Sequence, residues 1–238
     1  MLIFLDIETT GYEDNDTICS LGMLLFEEEK LLEAFYEIVN EGKKIPALAS
    51  SIHNITNEMI ANKPSFADTK IYTLLQHYNL EENSLIVHNM QFVVKFLERS
   101  GLKWCGKIID TQRVLKHHIP ECELFSLEFL RYELRLYRRE EDLKALCGIK
   151  DALVAHHALS DAVVLKLLFD YLQEEIDLEK MYAFTFSKVL LEKFSFGKYL
   201  GRYIEEIALN DRSYILWMLS LENLDDDLRY SLEYYLEG

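Results

Sequence analysis

The chain has 238 residues, enough for one sizeable core or for a core with a small satellite domain. Half of its residues are hydrophobic and 28% are charged, which excludes a disordered chain, and its 9 Gly and 3 Pro leave little room for long flexible linkers. The formal net charge of −16 argues against a processive nucleic-acid binder with a long footprint; any such contact must be local and helped by cations. The apolar opening Met1 to Leu5 stops at Asp6, too short for a signal peptide or membrane span, so a cytoplasmic location without membrane contact is expected. Cys19, Cys105, Cys122 and Cys147 show no metal-binding spacing and are expected as reduced thiols in or near the core.

In chain order, Leu2 to Leu5 reads as a buried strand, Ile18 to Phe26 as a second and Leu31 to Val39 as a third, with a solvated hairpin turn at Glu27 to Lys30. Three consecutive strands predict an antiparallel meander. The stretch between Pro46 and Pro64 reads mostly as loop, with a short helical turn around Thr56 to Ala61. Helical spacing follows over Phe66 to Tyr78, then a strand at Leu85 to Val87 and a helix from Asn89 to Arg99. A strand at Lys107 to Ile109, helices at Thr111 to His118 and Ser126 to Leu136, and a long core helix at Ala155 to Leu172 complete an α/β alternation. Glu174 to Phe194 reads as helix. The composition then shifts to an aromatic-rich tail, so the expected domains are 1–175 and a small α-rich module at 176–238.

Asp6 and Glu8, two apart on a strand, point to the same side. Buried there, the pair is costly unless cations neutralise it, and oxygen ligands of this kind suit Mg²⁺ or Mn²⁺. The whole string from Phe4 to Gly11, FLDIETTG, resembles the first motif of the DnaQ-like (DEDDh) 3′→5′ exonucleases. His156-His157-Ala158-Leu159-Ser160-Asp161 resembles the third, in which a general-base histidine stands five residues before a metal-binding aspartate; that spacing selects His156 over His157. Val87 to Val93 resembles the second motif but departs from it, because Val93 stands where the family has a metal-associated Asp. Asp110 is a remote substitute, expected to support structure more than to bind metal.

Ser51 to Thr56 resembles the family segment that lies against the terminal nucleotide, and Phe194 to Arg202 (FSFGKYLGR) resembles the C-terminal module of the exodeoxyribonuclease X group. The resemblance implies a ribonuclease H-like mixed sheet flanked by helices, and hydrolysis of DNA from 3′ ends, single-stranded or frayed, with two divalent cations per site. It places metal on Asp6, Glu8 and Asp161 and the base on His156. Substrate contacts fall to Thr9, His53, Ile55, His88, Asn89 and Phe92, with a strand surface at Lys198, Tyr199 and Arg202. Tyr214 and Trp217 are expected in the module's core. Val93 keeps open an impaired relative that binds DNA ends or protein partners, and short RNA is the other substrate compatible with the motifs. Nothing in the sequence identifies a protein partner.

Overall fold

In the computed structural model, which describes residues 1–237, the opening run extends into an eight-residue strand, β1 (Leu2–Thr9), that carries both acids of the first motif. β2 (Ile18–Glu27) and β3 (Lys30–Ile38) follow as the expected meander, β4 (Ser84–Val87) and β5 (Lys107–Asp110) add on the other side, and the sheet order is β3-β2-β1-β4-β5. β1 runs antiparallel to β2 and parallel to β4, and β4 runs parallel to β5, so the sheet is mixed.

Alternation along β1 sorts the two faces. Ile3, Leu5 and Ile7 face a core shared with Leu85 and Val87, against α3 (Lys70–His77) and α4 (Met90–Arg99). Phe4, Asp6 and Glu8 lie on the opposite face, where Phe4 meets Phe169 of α8 (Ala158–Gln173) edge-on at 5.2 Å. β2 is buried at nine of its ten positions, which is why it reads as a continuous apolar run without alternation.

The close approach of α8 to this face depends on Gly22. Cross-strand register pairs Gly22 with Asp6 on one side and Tyr36 on the other, and a Cβ on Gly22 would lie 2.1 Å from the Ala158 carbonyl carbon. Only a residue without a side chain lets the first turn of α8 sit on the sheet beside Asp6.

The region between Pro46 and Pro64 keeps the expected short turn but is otherwise more helical than expected. It holds α1 (Ala47–His53), ended by Asn54 in the left-handed region at φ 60°, and a single turn, α2 (Asn57–Ile60). α5 (Thr111–His118) agrees with the sequence, whereas the stretch from Ser126 breaks into α6 (Leu127–Glu133), a 3₁₀ turn at Leu136–Arg139 and α7 (Glu140–Leu146). The helix expected from Glu174 to Phe194 is reduced to α9 (Leu178–Phe186). Beyond it the amides of Val189, Leu191 and Phe194 donate to Asp227, Ser231 and the Arg202 carbonyl, partners that a continuous helix would exclude.

The chain forms two compact units. One comprises Met1–Gln112 and Leu124–Tyr182; the other comprises Arg113–Glu123 and the chain from Ala183 onward. In the second unit α10 (Ile204–Asn210), α11 (Arg212–Leu219) and α12 (Asp226–Glu237) enclose a small core of Phe194, Ile204, Ile207, Ile215, Leu228 and Leu232. Tyr214 packs on this core as expected. Trp217 does not, being 55% exposed. Cys19 is buried, Cys122 and Cys147 are half-buried and Cys105 is exposed, all as free thiols.

One buried ion pair ties this unit together: Asp227 accepts from both terminal nitrogens of Arg113 at 2.7 and 3.0 Å and from the Val189 amide at 2.9 Å. These bonds hold the Asp227 carboxyl below its usual range against the opposing effect of its burial. Asp227→Asn is therefore expected to cost the unit about 3 kcal/mol, the low end for a broken buried pair because the Arg113 side chain keeps 17% exposure. Chemical denaturation of the full chain in a Trp104→Phe background, followed through Trp217 fluorescence, measures it.

Candidate active site

The first turn of α8 and the C-terminal half of β1 build a cleft of about 800 Å³. Its walls carry Asp6, Glu8, His156 and Asp161, brought together from opposite ends of the first unit. Ligand atoms of Glu8, His156 and Asp161 lie within 4.8 Å of one another, and Asp6 is near enough to both acids to feel their charge.

Burial is the main influence on all three carboxyls. It drives Asp6 well above its ordinary range, with repulsion from Asp161 and Glu8 adding to it. Glu8 is pushed up to about 8 by burial and then by Asp161. Asp161 is pushed up to about 7 by burial and by repulsion from Glu128, against backbone hydrogen bonds at His156 and His157 and the attraction of Arg131. Three sequestered, mutually repelling carboxyls beside an imidazole suit a hard divalent cation that takes oxygen ligands.

The raised pKa values have a stability consequence. Without a cation the folded state holds protons on Glu8 and Asp161 that the unfolded chain, with carboxyls near 4, has already released. Stability must then fall as pH rises through the folded pKa values, from about 6.5 to 8. His53, His117 and His157, lowered by burial, act in the opposite direction but only below about 6.5, where the unfolded imidazole protonates. The melting temperature in chelator is expected to drop across this window. Mg²⁺ or Mn²⁺, binding only the deprotonated folded form, should flatten the drop.

Local structure separates the two adjacent histidines. His157 is the N-cap of α8: its Nδ1 accepts from the Ser160 amide at 3.4 Å, and its ring stacks on Tyr36 at 4.1 Å. His156, one residue earlier, is exposed and left-handed at φ 58°, which turns its side chain into the cleft. Such a conformation is strained for a residue with a side chain.

The expected substrate residues divide. Thr9, His53, His88, Asn89 and Phe92 line the cleft. Ile55 does not: it is 2% exposed, in a small core with Cys19, Ile45, Ala49 and Ile60. The apolar wall on that side comes instead from Leu48 and Ile52, one turn apart on the exposed face of α1. Their i, i+4 spacing was visible in the sequence, but the region read as loop.

Several lining side chains have their polar atoms committed. His53 Nδ1 accepts from the Ile55 amide at 3.0 Å, with Nε2 3.8 Å from the Cys19 thiol. His88 Nε2 donates to the Phe125 carbonyl at 2.6 Å, and its Nδ1 pairs with the Thr111 hydroxyl at 2.9 Å. Thr9 Oγ1 donates to the Gly11 carbonyl at 2.7 Å. Asn89, left-handed at φ 75°, caps α4 by accepting from the Phe92 amide. The Asp110 carboxylate accepts from the amides of Asn89, Met90 and Gln112 at 2.8–3.0 Å, so it shapes the β4–α4 turn and lies outside the group formed by Glu8, His156 and Asp161.

Val93 is 2% exposed, in the core formed with Leu5 and Ile7 on the face of β1 opposite the acids. In the second unit Lys198 and the Tyr199 hydroxyl both bond Asp211 Oδ2, at 3.0 and 2.6 Å, and Arg202 pairs with Glu206. A strand surface there would have to compete with these carboxylates. Among the described residues no helix is long and apolar enough to cross a membrane.

Comparison with known proteins extends the picture. A family model described as Exonuclease matches residues 3–169, and one described as Exodeoxyribonuclease X-like C-terminal matches residues 194–225. Exodeoxyribonuclease 10 of Escherichia coli K12 is 26% identical over the full length of both chains. DNA polymerase III subunit epsilon of Treponema pallidum is 27% identical over 64% of this chain and 76% of its own. Among solved structures, exonuclease X in complex with 5′ overhanging duplex DNA superimposes with a TM-score of 0.60 at 24% identity, covering 78% of this chain and 99% of that one, a likeness of fold.

Proposed function

From the premise that this chain belongs to the exonuclease family, we propose that it removes nucleotides from the 3′ ends of DNA, single-stranded or frayed, by cation-assisted hydrolysis. The observation that carries this reading is the meeting of Glu8, His156 and Asp161 within 4.8 Å at one end of a cleft. DNA as substrate is supported by the full-length similarity to exodeoxyribonuclease 10 and by the match to the C-terminal module. The proposal includes a cytoplasmic location.

Asp6, Glu8 and Asp161 would hold Mg²⁺ or Mn²⁺, and the bound cations supply Lewis acidity and neutralise charge at the scissile phosphate. His156 takes the proton of the attacking water; imidazole is the side chain suited to that transfer near neutral pH. His157, held in the helix cap, fixes the backbone from which His156 projects. Phe92, with its ring 5.6 Å from that of Tyr12, offers an aromatic wall for a terminal base. His53 and His88, with both ring nitrogens committed within the protein, position the walls rather than grip the substrate, and Asn89 caps α4 through its Oδ1.

Val93 favours a second reading, a weakened relative that binds DNA ends without cutting them. The persistence of a costly cluster of acids beside His156 weighs against it. The deciding assay follows release of mononucleotides from 3′-labelled single-stranded DNA, with a labelled RNA in parallel, in Mg²⁺ and in Mn²⁺. Release that disappears in Asp6→Ala supports hydrolysis at this site. Absence of release by the wild-type chain in both metals sinks it.

A further inference from the structure

With Val93 directed into the core, the carboxylate that the family pattern supplies from α4 is missing, and the cleft is lined by a further carboxylate from another helix. α6 begins at the cleft wall: Ser126 caps it by accepting from the Phe129 amide, and Glu128 in its first turn lines the same cleft as Asp6, Glu8, His156 and Asp161. Arg131, one turn further along, is the natural partner for Glu128 by spacing. It is taken instead by Glu140, which accepts from Nε and from a terminal nitrogen at 2.5 and 2.8 Å in a pair with little exposure. Lys43, a cation of the lining, is held by Asp16 at 2.6 Å. Among the described residues no cation pairs with Glu128, and its charge reaches Asp161.

An unpaired carboxylate facing an acid cluster only adds repulsion unless a cation sits between them. We propose that Glu128 is the fourth carboxylate of the cation site, reaching from α6 to hold, directly or through water, the divalent cation that position 93 cannot hold. The inference rests on the reading of Asp6, Glu8 and Asp161 as the cation-binding carboxylates. Glu128 is exposed and its side chain is free to change rotamer toward the cleft that both residues line.

The test is calorimetric titration of the full chain with Mn²⁺ alone and Mg²⁺ alone, comparing the wild type with Glu128→Gln, Glu133→Gln and Asp161→Asn. Glu133 stands on the same helix outside this cleft and controls for the loss of one negative charge. Glu128→Gln is expected to weaken at least one Mn²⁺ by about tenfold or more, with Glu133→Gln unchanged and the melting temperatures in chelator alike. The Mn²⁺ concentration giving half-maximal nuclease activity should rise in step. Wild-type affinity and stoichiometry in Glu128→Gln, or an equal loss in Glu133→Gln, overturns the assignment. If Asp161→Asn loses the ion while Glu128→Gln keeps it, the Glu128 assignment alone fails. A wild type that takes up neither metal removes the underlying reading and this inference with it.

Discussion

His156→Asn is expected to lower kcat by about 10²–10⁴-fold, the usual contribution of a positioned general base, while leaving the fold intact. Asparagine is the suitable replacement because position 156 is left-handed at φ 58°, a conformation that Asn tolerates better than most residues. The substitution removes the imidazole without adding strain. The adjacent His157 provides the contrast. As the cap of α8 and the stacking partner of Tyr36, it should cost about 1 kcal/mol of stability when replaced by Ala, with a much smaller fall in kcat. Single-turnover release from 3′-labelled DNA, beside thermal unfolding of each variant, separates the two. Equal loss of activity in both variants would contradict the division of roles.

Gly22→Ala should damage both stability and turnover, although the residue carries no chemistry. The added methyl would meet the Ala158 carbonyl carbon at 2.1 Å, a backbone contact that no side-chain rotation can relieve. The first turn of α8 must lift from the sheet, carrying His156 and Asp161 away from Asp6 and Glu8. Overpacking of this kind costs about 1–3 kcal/mol, and a displacement near 1 Å at the reacting groups costs about 10²-fold in rate. Mn²⁺ affinity should fall with it, because the ligands come from both sides of the contact. A Gly22→Ala chain with wild-type turnover and Mn²⁺ affinity would show that the close approach of α8 to the sheet is not what assembles the site.

Much of this architecture was readable along the chain. The meander, both parallel strands, α4, α5 and the long α8 follow from apolar periodicity and from breaks at charged or Gly-containing segments. The errors fall where a segment's hydrogen bonds go to distant partners. Residues 189–194 have helix-compatible composition, yet their amides donate to Asp227, Ser231 and the Arg202 carbonyl. α1 was hidden because Ala47–His53 follows a proline and lacks a capping side chain.

The sequence by itself determined the acids of β1 and their shared side of the strand, because these depend only on residue type and short-range periodicity; the choice of His156 and the carboxylate missing at Val93 came from the resemblance of the motifs to the exonuclease family. Tertiary structure alone decided that Glu8, His156 and Asp161 meet, that Asp110 serves the backbone of a turn, that Ile55 is core and Leu48 and Ile52 are wall, and that Glu128 lines the cleft of the acids with no cation paired to it among the described residues. The meeting of the acids depends on how closely α8 approaches the sheet, and the state of Glu128 on where Arg131 is engaged. The first is set by a missing side chain at Gly22 and the second by the ion pair between Arg131 and Glu140, features that no local pattern encodes.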